Sequence, residues 1–233
     1  MKFYAIIVAG GSGSRMQSAL PKQFLLLNGL PALMHTMRAF EQSTYQAQII
    51  LVLPVDYHAY WQQLCVDYDF SVGHQLVSGG ETRFHSVKNG LDLINDTEAV
   101  VAVQDAVRPL TSVVIVNKAY AHAIEKGNAI VAVKSRDSVR QVKNNQSTSL
   151  LRDEIYMVQT PQTFQLAQLK KAYQQPYHVK FTDDASVVEE TGVAINLVQG
   201  DYRNIKITFT EDIAIAELLL RQAPPNPPRK GGL

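Results

Sequence analysis

Near its start the chain reads AIIVAGGSGSRMQSALPKQF, a short apolar run that breaks into Gly10, Gly11 and Gly13 and is followed by Arg15 and Lys22. Glycines placed directly after a strand let backbone N–H groups turn inward and approach a polyphosphate closely. Two cations in the same loop, with Pro21 stiffening the approach to Lys22, suit the negative charge that spreads over a phosphoryl group in transfer. The pattern is not a P-loop, because GxxxxGK[ST] is absent. Nor is it a dinucleotide fingerprint, because AGGSGSRM lacks the third glycine and no strand-end acid follows about 20 residues later. On spacing alone the glycines equally suit an ordinary β-to-α turn, and the two cations a solvated loop edge.

Further groups with chemical potential lie downstream. VQDAVRP follows the apolar run AVVAV, which puts Asp105 and Arg108 at a strand's carboxyl end; an aspartate there can hold Mg²⁺ on a nucleotide's phosphates, or make an Asx turn ahead of Pro109. SGGETRFHS offers Gly80 after a strand, with Arg83 and Ser86 on the first turn of the next helix, as a base- or phosphate-contacting loop or a helix cap. Arg152, Thr160 and Lys206 could bind a second anionic substrate. Lys206 lies in NIKIT, which reads as a short strand, where a lysine is costly unless its head reaches water or a partner. Helix N-capping accounts for FTDDAS fully. Six scattered histidines have no metal-ligand spacing, so no zinc is expected, and no GxSxG elbow supports a serine nucleophile.

The elements that must position these residues follow a β-α-β-α rhythm. FYAIIV, IILVLP, HQLVSG, AVVAVQDA and NAIVAVK read as strands, with ALMHTMRAF, YHAYWQQLCVDY, RFHSVKNGLDLI and VVIVNKAYAHAIEKG as amphipathic helices between them. Runs such as AIIVA and AVVAV are apolar on both faces, which predicts a mostly parallel sheet covered by helices on each side. Residues 136–158 break the rhythm: two extended arms around an Asn-Asn-Gln-Ser turn predict a protruding hairpin. QLAQLKKAYQQ, DDASVVEETG and EDIAIAELLLRQ then read as helices and INLVQG as a strand. Residues 1–222 are expected to form one domain, and the Pro/Gly-rich residues 223–233 a disordered tail.

Composition narrows the function classes. With 22 Lys+Arg against 21 Asp+Glu the net charge is +1, and no basic stripe suggests nucleic acid, so an anionic partner must be gripped locally. No signal-peptide pattern opens the chain, and no apolar stretch nears the roughly 18 residues of a membrane span. The single cysteine, Cys65, lies in a helical stretch with no CxxC partner and reads as a small buried hydrophobe; a reducing cytoplasm is the expected location.

Taken in order, AGGSGSRM with LPKQF, SGGETRFHSV, QDAVRP, QTPQ, TDDAS and NIKIT resemble the 2-C-methyl-D-erythritol 4-phosphate cytidylyltransferase family of the non-mevalonate isoprenoid pathway, over roughly residues 2 to 220. The resemblance implies a Rossmann-like α/β nucleotidyltransferase fold and a homodimer in which the hairpin arm of each subunit reaches over the other's active site. It implies that Ala9, Gly10 and Gly11 contact the phosphates and ribose of CTP, with Gly13 in the same phosphate-facing loop and Gly80 and Ser86 near the cytosine. Arg15 and Lys22 would stabilise the transition state, and Asp105 would hold Mg²⁺ or another divalent cation. Arg108, Arg152, Thr160 and Lys206 match positions that place the methylerythritol phosphate. Ser138 stands where the family often has threonine and keeps the hydroxyl. Ribitol 5-phosphate cytidylyltransferases share most of these motifs, including a VAGG-like loop. A non-catalytic nucleotide-binding regulator is the rival from another class, and Arg15, Lys22 and Asp105 together argue against it.

Overall fold

The computed structural model describes residues 1–10 and 20–222 of the chain. Strands and helices alternate from β1 (Lys2–Val8) through β2 (Leu26–Leu27), β3 (Leu30–Pro31), α1 (Ala32–Glu41), β4 (Gln48–Leu53), α2 (His58–Asp67), β5 (His74–Ser78), α3 (Arg83–Asp92), β6 (Ala99–Asp105) and α4 (Val113–Lys126) to β7 (Asn128–Lys134). After β8 (Arg140–Lys143) and β9 (Gln146–Ser149) come β10 (Tyr156–Gln165), α5 (Leu166–Ala172), α6 (Asp184–Glu189), β11 (Leu197–Gln199) and α7 (Glu211–Arg221). The main sheet has the order β11-β7-β10-β6-β1-β4-β5, parallel throughout except that β10 runs antiparallel to both its neighbours.

Alternate residues of one strand feed two cores. Ala5 and Ile7 of β1 pack with α1, α2 and α4, whereas Tyr4, Ile6 and Val8 pack with α3, α5 and α6. Strands buried on both faces need apolar residues at consecutive positions, which is why AIIV and AVVAV carry no polar alternation. No helix of the described residues is long and apolar enough to cross a membrane. Cys65 is half-buried against the first core, and that burial pushes its thiol above the ordinary value.

Two expectations need correction. NIKIT is not a strand: residues 204–208 run as irregular chain, held by Ile207 N–H donating to the Val107 carbonyl. The protrusion is also shorter than residues 136–158, because Tyr156, Met157 and Val158 already pair with Lys134, Val133 and Ala132 in the main sheet. What protrudes is the β8–β9 hairpin, whose strands are exposed at every residue and turn at Asn144 and Asn145 with φ of 48° and 60°. Asparagine tolerates that left-handed backbone, and paired positive φ values match the turn to the twist of two-residue hairpins.

Candidate active site

The reactive side chains gather where β1, β5 and β6 end, the side of a parallel sheet on which ligands bind. β1 and β6 finish in step, Val8 opposite Asp105, so the chain after Ala9 leaves the sheet beside the Asp105 carboxylate. Two adjoining cavities open there. The first is lined by Ala9, Gly10, Lys22, Gln23, Arg83 and Ser86, among others, and the second by Arg108, Val158, Gln159, Thr160, Thr182 and neighbouring residues. Arg83, Asp105 and Lys206 line both, and so form the wall between them.

The floor of the first cavity depends on close backbone approach. Ser86, buried on the first turn of α3, accepts a 3.0 Å hydrogen bond at Oγ from the Gly80 N–H. Capping falls instead to Thr82, whose side chain accepts from the His85 N–H, so SGGETRFHS serves both as cap and as cavity lining. A Cβ at Gly80 would lie 2.5 Å from His85 Cβ and 2.9 Å from the His85 carbonyl carbon. Gly80→Ala is therefore expected to lose about 1–3 kcal/mol in urea unfolding, as overpacked sites do. Unchanged stability would mean that the β5–α3 connection gives way freely.

Asp105 is the electrostatic centre of the wall. Lys206 Nζ lies 3.0 Å and Arg108 Nε 3.3 Å from Oδ2, and Arg83 Nε lies 3.5 Å from Oδ1. Burial alone would push the carboxyl up, but the charges of Arg83, Lys206 and Arg108 outweigh it and hold Asp105 well below the usual carboxylate range. Its side chain faces these cations, which sets aside an Asx turn as its main role. Arg83 in turn forks onto Asp184, Nη1 to Oδ1 at 2.9 Å and Nη2 to Oδ2 at 2.7 Å, and the Tyr173 hydroxyl donates to Asp184 Oδ1 at 2.6 Å. Burial would pull Arg83 down; Asp184 and Asp105 overcome that and raise it. Three cations thus meet two carboxylates in this network, and Lys206 and Arg83 on the wall offer positive charge suited to phosphate.

Asn204 locks the second cavity. Its side chain donates to the Thr160 carbonyl at 2.9 Å and accepts from Thr111 Oγ1 at 2.8 Å, while its own carbonyl accepts from Arg108 Nη1 at 2.7 Å. The Thr160 hydroxyl accepts from the Asp105 N–H at 3.1 Å, tying β10 to the end of β6. Lys206, carried by the segment after Asn204, is partly exposed and can turn from Asp105 toward an incoming anion.

Of the residues singled out by sequence, Ala9, Gly10, Lys22, Ser86, Asp105, Arg108, Thr160 and Lys206 come together here, with Gly80 beneath Ser86. Gly11, Gly13 and Arg15 lie outside the described residues, as does the 223–233 tail. Ser138 and Arg152 are exposed at the base of the hairpin, where Arg152 pairs with Asp153 and donates to the Arg136 carbonyl; neither lines the cavities of its own chain. Sequence reasoning missed Asp184 and undervalued Arg83. The available signal was the doubled aspartate: Asp183 caps α6 in a reciprocal box with Ser186, which leaves the next carboxylate to turn inward.

Comparison with known proteins decides what this arrangement belongs to. The family model described as IspD, 2-C-methyl-D-erythritol 4-phosphate cytidylyltransferase, matches residues 3–222. The chain belongs to this family. Proteins named 2-C-methyl-D-erythritol 4-phosphate cytidylyltransferase from Porphyromonas gingivalis and Bacteroides fragilis are 47% and 45% identical to it, covering 94% and 93% of this chain and 98% of each relative. Among solved structures, the cytidylyltransferase of that name from Francisella tularensis superposes with a TM-score of 0.79 at 32% identity, covering 94% of this chain and 99% of that one. The Rossmann-like nucleotidyltransferase fold thus goes with a cytidylyltransferase family whose co-substrate is CTP.

Proposed function

We propose that this chain transfers CMP from CTP to 2-C-methyl-D-erythritol 4-phosphate, releasing pyrophosphate and forming 4-diphosphocytidyl-2-C-methyl-D-erythritol. The observation that carries the reading is the pair of cavities that share Arg83, Asp105 and Lys206 in their lining. One holds CTP on the Ala9–Gly10 backbone, together with Gly11 and Gly13, with its base toward Gly80 and Ser86. The other holds the polyol phosphate on Arg108, Thr160 and Lys206.

The attacking phosphate oxygen is already an anion at neutral pH, so no general base is required. The obstacle is the approach of two anions, and catalysis consists of positioning and charge neutralisation. Lys22 and Arg15 stabilise charge developing at the α-phosphorus, while Lys206 and Arg108 orient the incoming phosphate. The ionised Asp105 offers hard oxygen donors and would hold Mg²⁺ or another divalent cation. No group of three or more His, Cys, Asp or Glu suited to a metal gathers among the described residues, so the remaining oxygens would come from substrate and water. Such an ion, when bound, neutralises charge on the triphosphate.

In this reading the protein works in the cytoplasm as a homodimer. The exposed β8–β9 hairpin would bring Ser138 and Arg152, which line neither cavity of their own chain, to the partner's second cavity. Incubation with Mg²⁺, CTP and each acceptor in turn tests the assignment by pyrophosphate release. Rapid release with methylerythritol phosphate is expected; release with ribitol 5-phosphate alone moves the assignment to that substrate, and none with either makes the protein a nucleotide-binding regulator.

A further inference from the structure

Lys22 owes its place to an unusual neighbour. It begins a single 3-10 turn, Lys22–Phe24, entered from Pro21 at φ −57° and ψ 139°. The two residues that follow it are both buried: Phe24 packs its ring against Tyr57 and Tyr60, and Gln23 is 2% exposed. An amide so deeply buried is costly unless it is bonded, and Gln23 Nε2 donates a 2.9 Å hydrogen bond to the Ala9 carbonyl.

That carbonyl is itself a special case. The last rungs of the ladder around the end of β1 are the Ala9 N–H to the Val52 carbonyl at 2.8 Å and the Ala106 N–H to the Val8 carbonyl at 3.0 Å. Ala9 lies beyond the Val8–Asp105 pair that ends the β1–β6 register, yet it remains buried at 3% exposure, so its carbonyl needs a partner from outside the sheet. Gln23 supplies it. One bond therefore joins the backbone at the floor of the first cavity to the turn that carries Lys22, and both ends of that bond line the cavity.

We infer that Gln23 is a positioning residue for the transfer reaction: its carboxamide, tethered to the Ala9 carbonyl, fixes the Lys22 ammonium relative to the nucleotide phosphates. This rests on the role proposed above for Lys22. A merely structural Gln23 would affect stability and leave the chemical step alone. A positioning Gln23 acts through Lys22, because displacement of a catalytic group by about 1 Å can slow a reaction by about 10²-fold.

The test is a double-mutant cycle on the full chain. Gln23→Met and Gln23→Glu both keep the reach of the side chain and lose the donor. Each is expected to lower kcat at least tenfold with the KM for CTP changed less than threefold. In a Lys22→Ala background the same changes are expected to cost less than a further twofold. An equal fold-loss in both backgrounds, or unchanged kcat in the single variants, would overturn the inference. Amide hydrogen exchange reads the tether without turnover. Residues 20–25 of Gln23→Met should exchange at least tenfold faster than in the unaltered chain, and unchanged exchange would refute the tether. A chain that releases no pyrophosphate at all, yet shows this faster exchange, would keep the tether while refuting the role of Lys22.

Discussion

Replacing Lys22 with alanine is expected to lower turnover by about 10² or more while leaving the KM for CTP within a few-fold. The magnitude follows from the loss of one preorganised donor aimed at developing charge. The split between kcat and KM follows from the site's construction. In the proposed binding mode, backbone groups around Ala9 and Gly10 and the cations Arg83 and Lys206, all lining the first cavity, would hold CTP, and truncation at Lys22 disturbs none of them. The turn keeps its shape because Phe24 and Gln23 anchor it from the other side. Steady-state kinetics with both substrates varied provides the check. Turnover within threefold of the unaltered chain would remove Lys22 from the chemical step.

The second large effect concerns stability. Asp184→Ala strips the buried partner from Arg83 and the acceptor from the Tyr173 hydroxyl together. Breaking a buried ion pair from one side costs about 3–5 kcal/mol, because the remaining charge stays desolvated. The lower end is expected here, since the Arg83 side chain is 28% exposed and keeps Asp105 at 3.5 Å. About 3 kcal/mol corresponds to a fall of roughly 6–12 °C in Tm for a chain of this size. Tyr173→Phe, which removes only one donor, should cost about 1 kcal/mol. Lys22→Ala should leave Tm within a degree or two, so thermal unfolding separates the residue that serves the fold of the wall from the one that serves chemistry. An Asp184→Ala protein as stable as the unaltered chain would show that the Arg83 fork contributes nothing net.

Much of this was legible in the sequence because the core strands are buried on both faces. AIIV and AVVAV fit strands buried on both faces of a mostly parallel sheet, and their carboxyl ends locate Gly10 and Asp105. The turn residues were equally direct: Asn144 and Asn145 made the hairpin, and Asp183 capped α6. β10 was obscured for a physical reason. Its buried half, Gln159 to Phe164, is rich in polar side chains that bond inside the site, so it lacks the apolar signature of a central strand. Gln162 shows the principle, donating to Asp183 Oδ2 and accepting from the Ala185 N–H. NIKIT misled in the opposite direction. Its alternation of Ile205 and Ile207 looks like a strand, but those side chains pack against a small cluster near α7 while the backbone follows the irregular path that Asn204 imposes. The Asn28–Gly29 pair, with φ of 48° and 81°, turns the short β2–β3 hairpin, a signal present in the sequence that the apolar run around it concealed. Arg83 and Asp184 lie 101 residues apart, and no local pattern could join them.

In the proposed reaction two substrates meet across one wall and react directly, with no covalent enzyme intermediate. Transfer from CTP made chiral at the α-phosphorus by a single sulfur substitution, with the configuration of the product determined by phosphorus NMR, tests this most directly. A single in-line displacement predicts inversion at phosphorus. Retention would require two successive displacements, and would contradict direct attack by the polyol phosphate.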